Sequence, residues 1–116
     1  MNHLDNLKEC IQKPIYKVVL TNNSIYDRNQ IYNYIYWRLT SPINAIAFIK
    51  NFYSKLEYLK INPYIYSKFS YPINSKYEYR KISLNNFIII YYIDETVQCV
   101  FVVHIFYAGS NFINKI

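Results

Sequence analysis

Apolar positions recur at two different periods along this chain, and the change of period divides it. Ala45, Ile49, Phe52, Leu56 and Leu59 follow one another at steps of four, three, four and three. That spacing lines them up on one stripe of a helix, and such a stripe needs a sheet or a second helix to cover it. Ser41 is placed to cap this helix, Pro42 suits its first position, and Asn62-Pro63 stops it. From Lys76 to Gly109 the character changes to β-rich runs. Two of them flank Asn85-Asn86, a pair that tolerates the positive φ of a tight hairpin turn. A second turn at Asp94-Glu95 leads into a third run, Val97 to Phe106, so the spacing predicts a three-stranded meander.

Upstream, Tyr16 to Thr21 reads as a first strand. Asn22-Asn23-Ser24 is suited to cap a helix over about 25–39, with Asp27 in its favourable first turn and Ile31, Ile35 and Leu39 on one line. The break at Thr40-Ser41-Pro42 is short, so the two helices are expected to pack antiparallel as a hairpin. Tyr64 to Ser75 has no period and reads as a connecting loop. Residues 1–14 form an arm in which Leu4, Leu7 and Ile11 suggest a short amphipathic helix, and residues 15–116 form a single domain. The order β-α-α-β-β-β predicts an α+β fold: a small, mainly antiparallel sheet with a helical hairpin packed on one face.

Composition narrows the chemistry. The 116 residues are 53% hydrophobic and 20% aromatic, enough for one modest core. No apolar run approaches the ~20 residues of a membrane span, and the opening residues lack a basic segment followed by an apolar one, so a cytoplasmic protein is expected. The net charge of +6 suits anionic partners, nucleic acid or an acidic protein, and serves solubility equally well. Cys10 and Cys99 stand far apart, and His3 and His104 share no ligand spacing, so neither a metal nor another cofactor is expected. A single glycine excludes Gly-rich phosphate loops, and the seven acidic residues offer no general acid–base pair. Nothing suggests a small-molecule substrate.

Alternation along the second strand puts Tyr77, Tyr79, Lys81 and Ser83 on one face and Glu78, Arg80, Ile82 and Leu84 on the other. Ile82 and Leu84 are expected to face the helices, leaving Lys81 on the open face, most simply as a solvated lysine. Arg80 shares the helix side near the strand's start and is suited to pairing with the C-terminal segment or a partner. His104, on the face of Val100 and Val102, reads as a packed or surface residue rather than a base. Tyr107 ends its strand, where a tyrosine usually packs its ring and wets its hydroxyl, although a proton donor or stacking group is the alternative. Arg28 and Arg38 read as solvent-facing or as contacts for a partner.

Four stretches together resemble the RelE/ParE family of toxins from bacterial type II toxin–antitoxin modules. They are Tyr16-Lys17-Val18-Val19-Leu20-Thr21 with the helix holding Ile31-Tyr32-Asn33-Tyr34-Ile35; Leu39-Thr40-Ser41-Pro42-Ile43-Asn44-Ala45; the hairpin from Tyr79-Arg80-Lys81-Ile82 to Ile89-Ile90-Tyr91-Tyr92; and Val102-Val103-His104-Ile105-Phe106-Tyr107-Ala108-Gly109-Ser110-Asn111. The last is similar to a ParE-like ending, and the resemblance covers about residues 16–115.

The resemblance implies a toxin neutralised by a cognate antitoxin, and it leaves two modes of action. RelE-like members cut messenger RNA on the ribosome, which needs a base, cations around the phosphate and an acid for the leaving oxygen. Lys81 matches the family's basic strand position and Tyr107 its strand-end tyrosine. Ile88 stands where RNase members carry arginine, and Ala108, Ser110 and Asn111 occupy positions that are commonly Arg, His or Asp. ParE-like members inhibit DNA gyrase by binding. The missing arginine and the ParE-like ending favour that branch, with Arg80, Tyr107 and the segment from Asn111 to Lys115 as target contacts. The alternatives are ribosome and mRNA as partners, or an attenuated toxin kept for its antitoxin.

Overall fold

A computed structural model describes residues 15–70 and 76–108. Strand β1 (Lys17–Leu20) leads into α1 (Asn22–Asn33), a π-helical turn (Tyr34–Arg38) and α2 (Pro42–Ile61). Then come β2 (Lys68–Phe69), β3 (Tyr79–Leu84), β4 (Phe87–Asp94) and β5 (Cys99–Tyr107). The strands lie in the order β1-β5-β4-β3-β2. β1 runs parallel to β5 and the other neighbours are antiparallel. This is the expected α+β architecture, with the helical hairpin on one face of the sheet. Residues 1–14, where the short helix was expected, lie outside the described residues.

Helix α2 supplies most of the helical side of the core. Ser41 caps it through Oγ, which accepts from the Asn44 amide at 3.4 Å, and Pro42 opens it. Ala45, Phe48, Phe52, Leu56 and Leu59 are buried against Ile82, Leu84, Ile89, Tyr91, Val100, Val102 and Ile105 of the sheet. Phe48 takes a more central place than Ile49, which is only partly buried. The wider stripe, including the i+3 neighbour of Ala45, is what a helix packed on a broad sheet uses.

Four local differences from the sequence reading have physical causes. The stretch read as a loop contains β2, whose two residues pair with Arg80 and Tyr79; a strand that short shows no period. Such a short edge strand also limits the exposed ladder. The cap of α1 is Thr21, one residue earlier than expected: its Oγ1 accepts from the Ser24 amide at 3.2 Å. The same hydroxyl faces the Val102 and Val103 carbonyls at 2.9 and 3.2 Å. Asp27 therefore falls beyond the first turn.

The first helix also does not run on as α to Leu39. The π-turn bonds the Leu39 amide to the Tyr34 carbonyl at 3.1 Å, five residues back. The wider turn breaks the expected line: Ile35 stays buried while Leu39 is 53% exposed. Finally, β5 carries a bulge. Tyr91 pairs with Val102 but Ile90 pairs with His104. The extra residue reverses the alternation, so His104 lies on the face opposite Val100 and Val102, not with them. The predicted hairpin turn does form at Asn85-Asn86, with Asn85 at φ 54°.

Candidate functional site

The two ends of the sheet are built differently. At one end, the start of β3 and the end of β4 are tied to the chain leaving α2. The Tyr91 hydroxyl donates to the Pro63 carbonyl at 2.5 Å. Burial pushes the Tyr91 phenol up, which keeps it a neutral donor. Arg80 donates to the Tyr64 and Tyr66 carbonyls at 3.2 and 2.7 Å and meets Glu78 at 3.3 Å. Its guanidinium also lies 5.2 Å from the centroid of the Tyr64 ring. The Tyr16 hydroxyl donates to Glu95, which together with burial raises its pKa. Arg80, a sequence candidate for target contact, is only 12% exposed and is engaged within its own chain.

At the other end, the close of α1, the π-turn, the first turns of α2 and the β3–β4 turn surround an open cleft of about 850 Å³. Ile31, Ile35, Ala47, Phe48 and Phe87 line it, with Tyr34, Leu39 and Tyr107 among them, each about half exposed. Asn85 and Asn86 close one side. Tyr107 sits edge-on to Phe87 with ring centroids 5.5 Å apart, and Phe87 packs on Phe48 at 5.1 Å. The Ala108 amide donates to the Asn86 carbonyl at 2.6 Å, so the chain leaves β5 beside the cleft. Nearby on the helices, Trp37 and Ile43 are 70% and 82% exposed. Sequence reasoning missed this cleft because the π-turn that exposes Leu39 leaves no periodic signal.

Cross-strand register places the remaining candidates. Leu84, Phe87 and Tyr107 form one row on the helix side. Lys81, Ile90 and His104 form a row on the other side. Lys81 and Tyr107 therefore sit on opposite faces of the sheet and do not converge on one phosphate. Ile88 lies between Ser83 and Phe106 on the face of Lys81. The bulge brings His104 to Asp27, with Nδ1 and Oδ2 at 3.1 Å. The same carboxylate oxygen accepts from the Ile105 amide at 3.1 Å. Asp27 thus covers a part of β5 that lies beyond the end of β1, and the His104 ring stacks on Phe106 at 5.1 Å. A pair 77 residues apart leaves no mark in the sequence. Asn111 and Lys115 lie outside the described residues. Among the described residues no cluster of His, Cys, Asp or Glu is fit to hold a metal ion, and no helix is long and apolar enough to cross a membrane.

The order of elements and the residues that fill them match a family model described as ParE toxin of type II toxin-antitoxin system, parDE, over residues 18–112. The chain belongs to the ParE toxin family. Two solved structures share the fold of this ParE-family chain. One is described as the chromosomal ParDE TA system from P. aeruginosa, with a TM-score of 0.64 and 13% identity, over 82% of this chain and 98% of that one. The other is the archaeal RelE-RelB complex from Pyrococcus horikoshii OT3, with a TM-score of 0.51 and 12% identity, over 82% and 97% of the two chains. None of the curated proteins matches it.

Proposed function

We propose that this ParE-family toxin acts by binding DNA gyrase rather than by cutting RNA, and that a cognate antitoxin neutralises it. The separation of Lys81 and Tyr107 onto opposite faces carries the first part. Phosphodiester cleavage needs acid, base and cation around one phosphate, and loss of one preorganised stabilising group alone costs about 10²–10³ in rate. Here two of the sequence candidates are split by the sheet, and Ile88 supplies no charge on the Lys81 side. An inhibitor that acts by contact needs only a surface. The cleft end offers exposed aromatic and aliphatic groups, of the kind that serve as anchors in protein interfaces.

The antitoxin reading follows from the family and from the two neighbours, which are described as toxin–antitoxin assemblies. The +6 charge suits an acidic partner segment. Arg80 contributes to target binding by holding the loop around Tyr64 and Tyr66, Tyr107 supplies a direct contact at the cleft end, and Asn111 and Lys115 add further direct contacts to the target. Purified protein should block gyrase supercoiling or trap gyrase–DNA cleavage complexes, and leave ribosome-bound message intact. Ribosome-dependent cutting that is lost in both Lys81→Ala and Tyr107→Phe would overturn this reading. Inactivity in both assays, with the antitoxin still bound, would identify an attenuated toxin.

A further inference from the structure

We propose that the junction of α1 and α2 has two registers: the π-turn seen in the structure, which holds the cleft open, and a continuous α-helix to Leu39, which lays the Leu39 side chain into the cleft. Three neighbouring features of the junction are each unfavourable. The π-turn spans Tyr34–Arg38, and turns of this kind are rare and concentrate at functional sites. Thr40 follows the C-cap Leu39 with φ 47°, in the left-handed region. Glycine or asparagine usually takes that place at a helix end, and a β-branched residue adopts it only at a cost. Trp37 and Leu39, both large and apolar, stand exposed to water.

The alternative register is written in the sequence. Ile31, Ile35 and Leu39 stand at i, i+4 and i+8, so an unbroken α-helix puts Leu39 in line with two residues that line the cleft. The hydrogen bonds needed for the change are at hand. In the π register the Leu39 amide donates to the Tyr34 carbonyl at 3.1 Å, and the Ser41 amide to the Ile35 carbonyl at 3.2 Å. In the α register the Leu39 amide passes to the Ile35 carbonyl, four residues back, and Ser41 gives that acceptor up. The Ile35 carbonyl is satisfied either way. The residue that the π-turn holds in excess passes into the connection before Pro42, which releases Thr40 from its left-handed conformation. The exchange sets the bond of one amide against the burial of a leucine and the relief of Thr40. These terms oppose one another, which keeps both registers within reach. A partner that enters the cleft needs the π register, so its binding draws the junction into that state, whatever target the toxin has.

The test is relaxation-dispersion NMR on the full chain. The amides of Leu39 and Ser41 and the methyls of Ile35 and Leu39 should show exchange on the microsecond-to-millisecond scale. Leu59 and Ile93, at the far end of the core, should not. In the minor state the Thr40 carbon shifts should leave the left-handed range. Thr40→Gly removes the cost of that conformation and should move the equilibrium toward the π register about fivefold to thirtyfold, with the exchange falling in step. Leu39→Ser removes the apolar gain of the α register and should also quieten the exchange. A flat profile at Leu39 and Ser41 would show a single register and overturn the proposal. So would exchange of equal size at Leu59 and Ile93, which reports opening of the whole fold. Exchange left unchanged by either substitution would place its cause elsewhere and overturn the proposal as well.

Discussion

The end of the sheet near Pro63 and the end near Asn85 use the same materials to opposite effect. Both are rich in tyrosine. At the first, tyrosine hydroxyls and Arg80 satisfy backbone carbonyls and a carboxylate, and the aromatic rings are packed against one another or under the guanidinium. At the second, Tyr34 and Tyr107 stand half exposed around an apolar cleft. The closed end has spent its hydrogen-bonding groups on holding the chain. The open end leaves apolar groups exposed, which makes it the better candidate for contact with other molecules. Abundant tyrosine thus says nothing about function by itself; the packing and exposure of each ring do.

The largest effects should come from the core that both ends share. Phe52 is fully buried and Leu56 nearly so, and both stand on the stripe of α2 against the sheet. Phe52→Ala or Leu56→Ala should lower stability by about 2–5 kcal/mol in chemical denaturation. A neutral result for either would mean that α2 does not pack on the sheet in this register.

A smaller loss should follow at the closed end. Arg80→Ala removes a charged donor from the Tyr64 and Tyr66 carbonyls, and should cost about 1–3 kcal/mol by thermal or chemical unfolding. Arg80→Lys should recover only part of it, because an ammonium lacks the planar fork that spans two acceptors. If Arg80→Ala leaves stability unchanged but weakens gyrase inhibition, the residue contacts the target directly and the closed end is not closed.

What the sequence revealed about these two ends follows from what leaves a local trace. The α2 stripe, its Ser41-Pro42 start and the Asn85-Asn86 turn are each encoded within a few residues, and each is found where it was read. Lys81 lies on the face away from the helices, as the alternation of β3 predicts, but that face is not open throughout, since Ile90 and Phe106 on it are buried. His104 does not lie on the face that alternation predicts, because a one-residue bulge in β5 reverses it and no residue type announces a bulge. Leu39 falls on one line with Ile31 and Ile35 only if the helix keeps 3.6 residues per turn, and the π-turn departs from that. The Asp27–His104 pair and the cleft are products of tertiary packing. The parts of the candidate site that depend on contacts across the chain were therefore the parts the sequence could not show.

The smallest effect on folding should carry the largest information about binding. Leu39 is 53% exposed on the rim of the cleft, so Leu39→Ser should change stability by no more than about 0.5 kcal/mol. If the cleft receives the antitoxin, the same substitution removes a leucine side chain from the buried interface. Burying such a side chain contributes about 1.5–3 kcal/mol, which corresponds to a roughly tenfold to hundredfold rise in Kd measured by calorimetry. Tyr26→Ser offers the matching control: it is a similarly exposed apolar position on α1 that does not line the cleft, and it should leave affinity unchanged. Equal losses for both substitutions would spread the interface over the whole helical hairpin. No loss for Leu39→Ser would remove the antitoxin from the cleft and leave the open end to another partner.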